Sequence, residues 1–265
     1  MIRRPPRSTP SNSSAASDVY KRQKLWLLFS KINAYLSDYL IVYSYRILQE
    51  AGLTRLKHKT ILAHEHIVDF TRFCIKEEYS KRDCIVGYIG RLSNVKGILN
   101  FLEAISVLSK MKDRKNMKFL IGGDGELRCH VENFIKHNLL GIDIIFIGWI
   151  QHQILPNVLN RLKIIVVPSY SEALPNIILE AMACGTPVLA TAVGAVPDII
   201  KEGKTGFLLR SNDPKHIALR LLEILSRPDL LDRVSRNAYI WVRKNFNEHK
   251  TIEIWKRILN KIVKT

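Results

Sequence analysis

The sequence predicts an α/β fold built on a doubly wound, Rossmann-like parallel sheet. Three observations carry this. Short apolar runs, most of them bounded by Gly or Pro, recur from Ile85 onward. Amphipathic segments separate most of these runs, as with Leu99, Leu102, Ile105 and Leu108 at helical spacing, and continuous apolar strands alternating with helices mean a parallel sheet covered on both faces. Finally, 265 residues with 47% apolar and 25% charged side chains form an ordinary globular chain, large enough for one big domain or two small ones and too apolar for disorder over most of its length.

Residues 1–23 stand apart. Pro, Ser and Arg dominate them, no helical or strand period is visible, and Arg3, Arg4, Arg7, Lys21 and Arg22 outweigh Asp18. A basic arm or a transit peptide has this composition. The string also resembles the translation of a sequencing adaptor, so we treat 1–23 as non-native or disordered. It is set aside in reading the fold, with the natural N-terminus expected to be missing. From Lys24 the pattern predicts a helix over 24–36, a strand at Tyr39–Tyr43, a helix over 45–53 and a strand at Thr60–Ala63. A polar linker follows, with Lys76, Glu77, Glu78, Lys81, Arg82 and Asp83.

After the linker, six strands are expected at Ile85–Ile89, Phe119–Ile121, Ile142–Ile147, Ile164–Val167, Val188–Ala192 and Phe207–Leu209, in the order 3-2-1-4-5-6. The domain boundaries that result are 24–75, 76–245 and a terminal helix within 246–265. That helix, about Glu248–Val263, carries Ile252, Trp255, Leu259 and Ile262 as its apolar stripe, with Lys256, Lys261 and Lys264 off it.

The longest uninterrupted apolar stretches, such as Leu25–Phe29 and Ile144–Ile147, fall far short of the roughly 20 residues a membrane span needs. Cys74, Cys84, Cys129 and Cys184 are scattered with no CxxC pair, which argues against a zinc ribbon or thioredoxin-like site and for reduced cytosolic thiols. The 41 Lys and Arg against 24 Asp and Glu give +17. That surplus favours nucleic acid, acidic lipid or phosphorylated substrates as partners; a chain-wide bias toward Lys and Ile accounts for it equally well.

In a sheet of this order, ligands bind beyond the carboxyl ends of the two central strands, where the strand order reverses. After Ile89 comes Gly90-Arg91-Leu92-Ser93-Asn94-Val95-Lys96-Gly97. Its Arg91 and Lys96 are suited to phosphate oxygens, or are two solvated loop cations; the pattern is no P-loop. The loop Gly122-Gly123-Asp124-Gly125-Glu126 is a tight turn that admits a ligand or serves only the backbone. After Val167 runs Pro168-Ser169-Tyr170-Ser171-Glu172-Ala173-Leu174-Pro175-Asn176-Ile177. Pro175 suits the first turn of a helix, and the amides near Leu174–Ile177 form an anion site. Glu180 lies deep in the otherwise apolar helix that follows. A buried carboxylate needs a partner, unless Glu180 faces solvent or caps a loop.

Together, GRLSNVKG, GGDGE, the Glu172–Glu180 pair and EAMACGTPVLATAVGAVPDIIKEGKTGFLL resemble the C-terminal domain of retaining GT-B glycosyltransferases, the large family four of sugar-nucleotide-dependent enzymes. The match runs from about Asp38 to the C-terminus. The resemblance implies a hexosyltransferase-class enzyme that moves a glycosyl group from a UDP- or GDP-linked sugar to a sugar or lipid-linked acceptor, in cell-surface polysaccharide or glycolipid synthesis. It implies that Arg91 and Lys96 hold the donor diphosphate. Glu172 orients the donor sugar. The backbone around Leu174, Pro175, Asn176 and Ile177, with Gly90 and Gly123, borders sugar and phosphate. Glu180 accepts from the ribose diol, and Gly148-Trp149-Ile150 border the base.

No cofactor or metal is implied, and no Asp-x-Asp triplet occurs. The resemblance further implies that 24–75 is the end of an acceptor-binding N-terminal domain, that the terminal helix crosses back onto it, and that the full enzyme is cytoplasmic and peripheral at an anionic membrane face. The chain alone is expected to be inactive.

There are departures from the family pattern. Ala173 replaces a customary Gly, and Gly194-Ala195-Val196-Pro197-Asp198 replaces a double glycine ending in Glu. His64 and His66, at strand spacing in the crossing segment, are linker side chains or a metal pair. Three other classes compete: a basic nucleic-acid-binding module, disfavoured because aromatic-interleaved basic stretches are lacking; a non-catalytic sugar-nucleotide sensor; and a nucleotide-sugar epimerase of the same fold.

Overall fold

The computed structural model describes residues 29–111 and 117–263. Residues 1–23, the start of the helix expected over 24–36 and Lys264 lie outside them. The described residues fall into two compact units, one ending at Leu62 and one beginning at Ala63.

The first unit holds a helix over 29–36 (α1), β1 (Leu40–Val42), α2 (Tyr45–Glu50) and β2 (Thr60–Leu62). β1 and β2 pair in parallel, Leu40 opposite Thr60. α2 is capped by the Ser44 hydroxyl, which accepts from the Arg46 N–H. It stops at Glu50, short of the expected residue 53, because the chain turns at Ala51-Gly52, with Gly52 at φ +68°.

The second unit alternates strand and helix: β3 (Ile85–Ile89), α3 (Ile98–Ser109), β4 (Lys118–Gly122), α4 (Arg128–Asn138), β5 (Ile144–Gly148), α5 (Leu155–Arg161), β6 (Ile164–Val167), α6 (Asn176–Ala183), β7 (Val188–Thr191), α7 (Val196–Ile199) and β8 (Phe207–Leu209). Then come α8 (Pro214–Leu225), α9 (Pro228–Asn245) and α10 (Glu248–Val263). All six strands are parallel, in the order β5-β4-β3-β6-β7-β8. This is the doubly wound arrangement the sequence predicts. The central strands β3 and β6 are apolar and buried, and Phe101, Phe119, Leu102, Ile105 and Phe207 fill the layer beside them with almost no exposure.

Two expectations need correction. Cover on both faces fails at β5, where Ile145 and Ile147 are exposed, because no helix among the described residues packs on this edge strand as closely as α8 packs on the other edge strand, β8. The stripe assigned to α10 is also displaced. The helix buries Thr251 and Ile258, while Ile252 and Leu259 are exposed. The reason is polar: the Thr251 hydroxyl donates to the His66 carbonyl at 3.3 Å and the Trp255 indole N–H to the His64 carbonyl at 3.0 Å. These bonds turn α10 onto the segment at the start of the second unit. His64 itself stacks on Phe246 at 4.2 Å between centroids, and burial, then the neighbouring His66, hold its pKa below the ordinary histidine value.

Arg82 is the other departure. It reads as one cation of a polar linker, yet it is only 5% exposed. Its guanidinium donates to the Cys184 carbonyl at the end of α6 (2.7 Å), the Thr186 hydroxyl (2.9 Å) and the Asn160 side chain in α5 (3.2 Å). A buried cation is tolerated when its donors are met by oriented oxygens and by the negative end of a helix. Arg82→Met leaves the Cys184 carbonyl and the Thr186 oxygen without this donor, while the Asn160 oxygen keeps the Lys76 N–H at 2.8 Å. At about 1–3 kcal/mol for each buried group left unsatisfied, it should lower unfolding free energy by about 2–4 kcal/mol in a urea titration. Arg82→Lys should recover only part, because an ammonium cannot reach all three.

Candidate functional site

The chemistry of the second unit gathers above β3 and β6, the neighbours at which strand order reverses. The loop after β3 passes through a single 3-10 turn (Asn94–Lys96) into Gly97 and α3. Gly97 has φ +69°, and a Cβ there would lie 2.1 Å from the Pro168 carbonyl oxygen. Glycine alone lets this loop press on the loop after β6. The Tyr170 N–H then donates to the Val95 carbonyl at 2.8 Å and ties the two loops together.

That approach sets Lys96 against Glu172, Nζ to Oε1 at 2.5 Å. The Ser169 hydroxyl donates to the same oxygen at 2.7 Å. Only 9% of the Glu172 side chain is exposed, so the carboxylate is held in one place by a cation and a hydroxyl in a poorly hydrated setting. Below it, burial and then the Glu172 charge push the Tyr88 hydroxyl above the usual tyrosine range, and this hydroxyl donates to the Arg91 carbonyl at 2.9 Å.

The segment Gly194–Asp198 closes on the loop from the other side. Gly194 has φ +52°, and a Cβ there would sit 1.9 Å from the Glu172 carbonyl oxygen. The Ala195 N–H donates to the Ala173 carbonyl at 2.9 Å. Backbone contact survives the departure from the family pattern here, since it needs only Gly194 and an amide.

α6 begins at Asn176 with Pro175 as its extended cap, and Leu174 and Pro175 are buried while Asn176 is exposed. Its first-turn amides, Asn176 and Ile177 among them, have no carbonyl four residues back to bond, and they sit at the positive end of the helix. The Leu174 carbonyl is held by the His66 ring at 3.0 Å. Along the helix Ile178, Leu179, Ala181 and Met182 face the core, and Glu180 faces outward with its side chain 16% exposed. It accepts from His152 Nε2 at 2.9 Å. Glu180 is therefore neither in the core nor unpartnered.

Beside these groups lies a cleft of about 350 Å³ lined by Gly90, Arg91, Gly123, Asp124, Trp149 and Ile150. The Gly123 N–H donates to the Gly148 carbonyl at 2.6 Å, so the turns after β4 and β5 move as one. Trp149 is 73% exposed and forms a flat apolar wall. The Arg91 guanidinium is exposed, 3.6 Å from Glu126. The two cations of one loop thus serve different carboxylates, Arg91 at the cleft and Lys96 at Glu172. The structure brings the sequence-predicted residues into three adjoining groups: the cleft, the Lys96–Glu172 pair, and the start of α6 with Glu180. It adds Ser169, Tyr88, His66 and His152. Of these, only Ser169, two residues past a central strand, carries a positional signal in the sequence.

Residues 71–241 match the family model "Glycosyl transferases group 1". The alpha-D-kanosaminyltransferase of Streptomyces kanamyceticus is 30% identical over 165 residues, which is 62% of this chain and 42% of that enzyme. The D-inositol 3-phosphate glycosyltransferase of Corynebacterium efficiens is 33% identical over 160 residues, 58% of this chain and 37% of that one. The chain thus spans less than half the length of these curated relatives. Among solved structures, the C-terminal domain of a group 1 family glycosyl transferase from Francisella tularensis is 27% identical with a TM-score of 0.60, covering 68% of this chain and 99% of that one. Sucrose-phosphate synthase from Thermosynechococcus elongatus is 25% identical with a TM-score of 0.77, covering 91% of this chain and 63% of that one. With the family model matching well over half of its length, the chain belongs to the group 1 glycosyl transferases, and its six-stranded unit is a Rossmann-like domain of the GT-B type.

Proposed function

We propose that this chain is the donor-binding part of a retaining glycosyltransferase, acting on a UDP- or GDP-linked sugar and a sugar or lipid-linked acceptor. The observation that carries the reading is the Lys96–Glu172 pair at the strand reversal, beside the Arg91 and Trp149 cleft. Trp149 and Ile150 offer a flat apolar surface to a base. Glu180, one face of α6 away, is placed to accept from a ribose diol. Arg91, Lys96 and the first-turn amides of α6 would gather the diphosphate and stabilise the charge that grows on it as the glycosidic bond breaks. Glu172 would take hydrogen bonds from sugar hydroxyls and fix the anomeric carbon, its own position set by Lys96 and Ser169.

The curated relatives include a Campylobacter jejuni N-acetyl-D-galactosaminyltransferase whose name specifies an undecaprenol-linked acceptor; it is 26% identical over 229 residues. That name, with the +17 charge, supports a role in cell-surface glycan synthesis at the cytoplasmic membrane face. No helix among the described residues is long and apolar enough to cross a membrane, which fits peripheral attachment. Among its described residues the first unit offers a two-stranded sheet, too few strands for an independently stable second domain. The chain by itself is therefore expected to bind donor without transferring it, because transfer needs both substrates held in one cleft.

Calorimetry with UDP and GDP tests the donor site. Arg91→Ala with Lys96→Ala should abolish measurable binding of the favoured nucleotide, and unchanged affinity would overturn the phosphate assignment. Glu180→Gln should weaken it about tenfold or more, since a hydrogen bond to a charged group is worth about 1.5–3 kcal/mol. Gly194→Ala should displace the Glu172 loop. We expect it to weaken donor-sugar hydrolysis or binding more than it weakens UDP binding, and equal losses would argue against Glu172 as a sugar ligand. For transfer, the chain is compared with one extended by a complete N-terminal domain, both supplied with UDP- and GDP-sugars and the same acceptors. Turnover is expected only in the extended protein. Equal turnover by the two would remove the proposed division of labour, and donor binding without transfer in both would favour a sensor.

A further inference from the structure

A second cleft lies at the amino end of β8, whereas the candidate donor site lies beyond the carboxyl ends of the strands. It measures about 670 Å³ and is walled by the Glu202–Thr205 turn and by one face of α9. On that helix Arg233, Asn237, Ile240, Trp241 and Lys244 recur at the three- and four-residue spacing that lines up a single face. The opposite turn is rigid: the Lys201 N–H donates to the Thr205 hydroxyl at 2.9 Å, and that hydroxyl donates to the Ile199 carbonyl at 2.8 Å. It presents Lys204 to the helix.

The charges here differ from those around them. Elsewhere on α9, Arg236 is paired with Asp232, and Arg243 lies over the Tyr239 ring. Lys204, Arg233 and Lys244 have no carboxylate partner among the described residues. Glu202, the acid in the wall, is already engaged by Arg220 and by the Leu208 N–H at 2.8 Å. The apolar part of the lining is the half-buried Trp241 together with Ile240, which is 63% exposed. Three unneutralised cations around an apolar lining do not match an inorganic ion, which would leave indole and isoleucine uncovered. They match an anion joined directly to carbon.

We propose that this cleft binds a phosphate ester: Lys204, Arg233 and Lys244 take the phosphate oxygens, and Trp241 and Ile240 cover the organic part beside it. A phospholipid headgroup and a soluble phosphorylated molecule share this chemistry. Binding at this face does not depend on the donor assignment.

The test uses three proteins: this chain, the cleft variant Lys204→Gln/Arg233→Gln/Lys244→Gln, and a charge-matched variant Lys136→Gln/Lys215→Gln/Lys256→Gln, whose exposed lysines lie on α4, α8 and α10. Co-sedimentation is measured with phosphatidylcholine vesicles, with and without phosphatidylglycerol, and calorimetry with soluble glycerol 3-phosphate. The cleft variant should lose about tenfold or more in affinity for at least one phosphate probe. The charge-matched variant should stay within about twofold, and all three should bind UDP alike. Loss confined to phosphatidylglycerol vesicles identifies a lipid ligand, and loss with glycerol 3-phosphate a soluble one. Ile240→Gln should weaken the same probe without any change in charge. Equal loss in the two triple variants, or no binding of either probe by the unsubstituted chain, would overturn the proposal. Altered UDP binding in the cleft variant would count against the independence of the two sites.

Discussion

The pairing of β3 with β6 is the constraint from which the site follows. Val86 lies opposite Ile164 and Gly87 opposite Ile165, and the absent side chain of Gly87 leaves room for the buried Leu162 side chain, whose methyl would meet a Cβ there at 2.4 Å. These strands are neighbours in space and distant in sequence, so each sends its loop over the same gap. Two loops can share that gap only if their backbones come unusually close, and Gly97 and Gly194 permit it on either side of Pro168–Ala173. Once the backbones are that close, Lys96 and Glu172 have little choice of partner. The ion pair is a product of the sheet's topology as much as of attraction between its members.

Arg82 supports this arrangement from beneath. It holds the end of α6 to α5 through carbonyl, hydroxyl and amide oxygens, with no carboxylate among its hydrogen-bond partners in the described residues. The register of α6 decides where Glu180 points and where the first-turn amides lie. A residue far from the cleft thereby sets the geometry of the groups that line it, and an arginine suits this because its charge does not depend on pH in the working range.

Much of this is legible in the sequence, for physical reasons that differ between elements. β3 and β6 are buried on both faces and β8 nearly so, and their apolar runs begin and end where the strands do. β5 could not be read this way: Ile144–Ile147 is as apolar as the others, and only the lack, among the described residues, of a closely packed helix on it explains why Ile145 and Ile147 meet water. Arg91, Lys96, Glu172 and Glu180 stand out as residue types in suggestive places, but the partners that fix them do not. Ser169 and Tyr88 bond residues only three positions away, to Glu172 and Arg91, but His152 becomes meaningful only after folding brings it to Glu180. The stripe of α10 misled because helical spacing marks any face rich in carbon. The buried face was chosen instead by the Thr251 hydroxyl and the Trp255 N–H, whose carbonyl partners lie almost the whole chain away.

The strand order also has a consequence during synthesis. β3 can pair with β4, and β4 with β5, as soon as each leaves the ribosome, giving a three-stranded sheet one of whose edges is β3 itself. That edge, the apolar Val86-Gly87-Tyr88 stretch, stays open until β6 arrives, and a bare hydrophobic edge is a template for pairing with another chain. The strand that ends this exposure is the one that delivers Ser169 and Glu172. Protection from aggregation and the assembly of the Lys96–Glu172 pair are therefore a single late event in the life of the nascent chain.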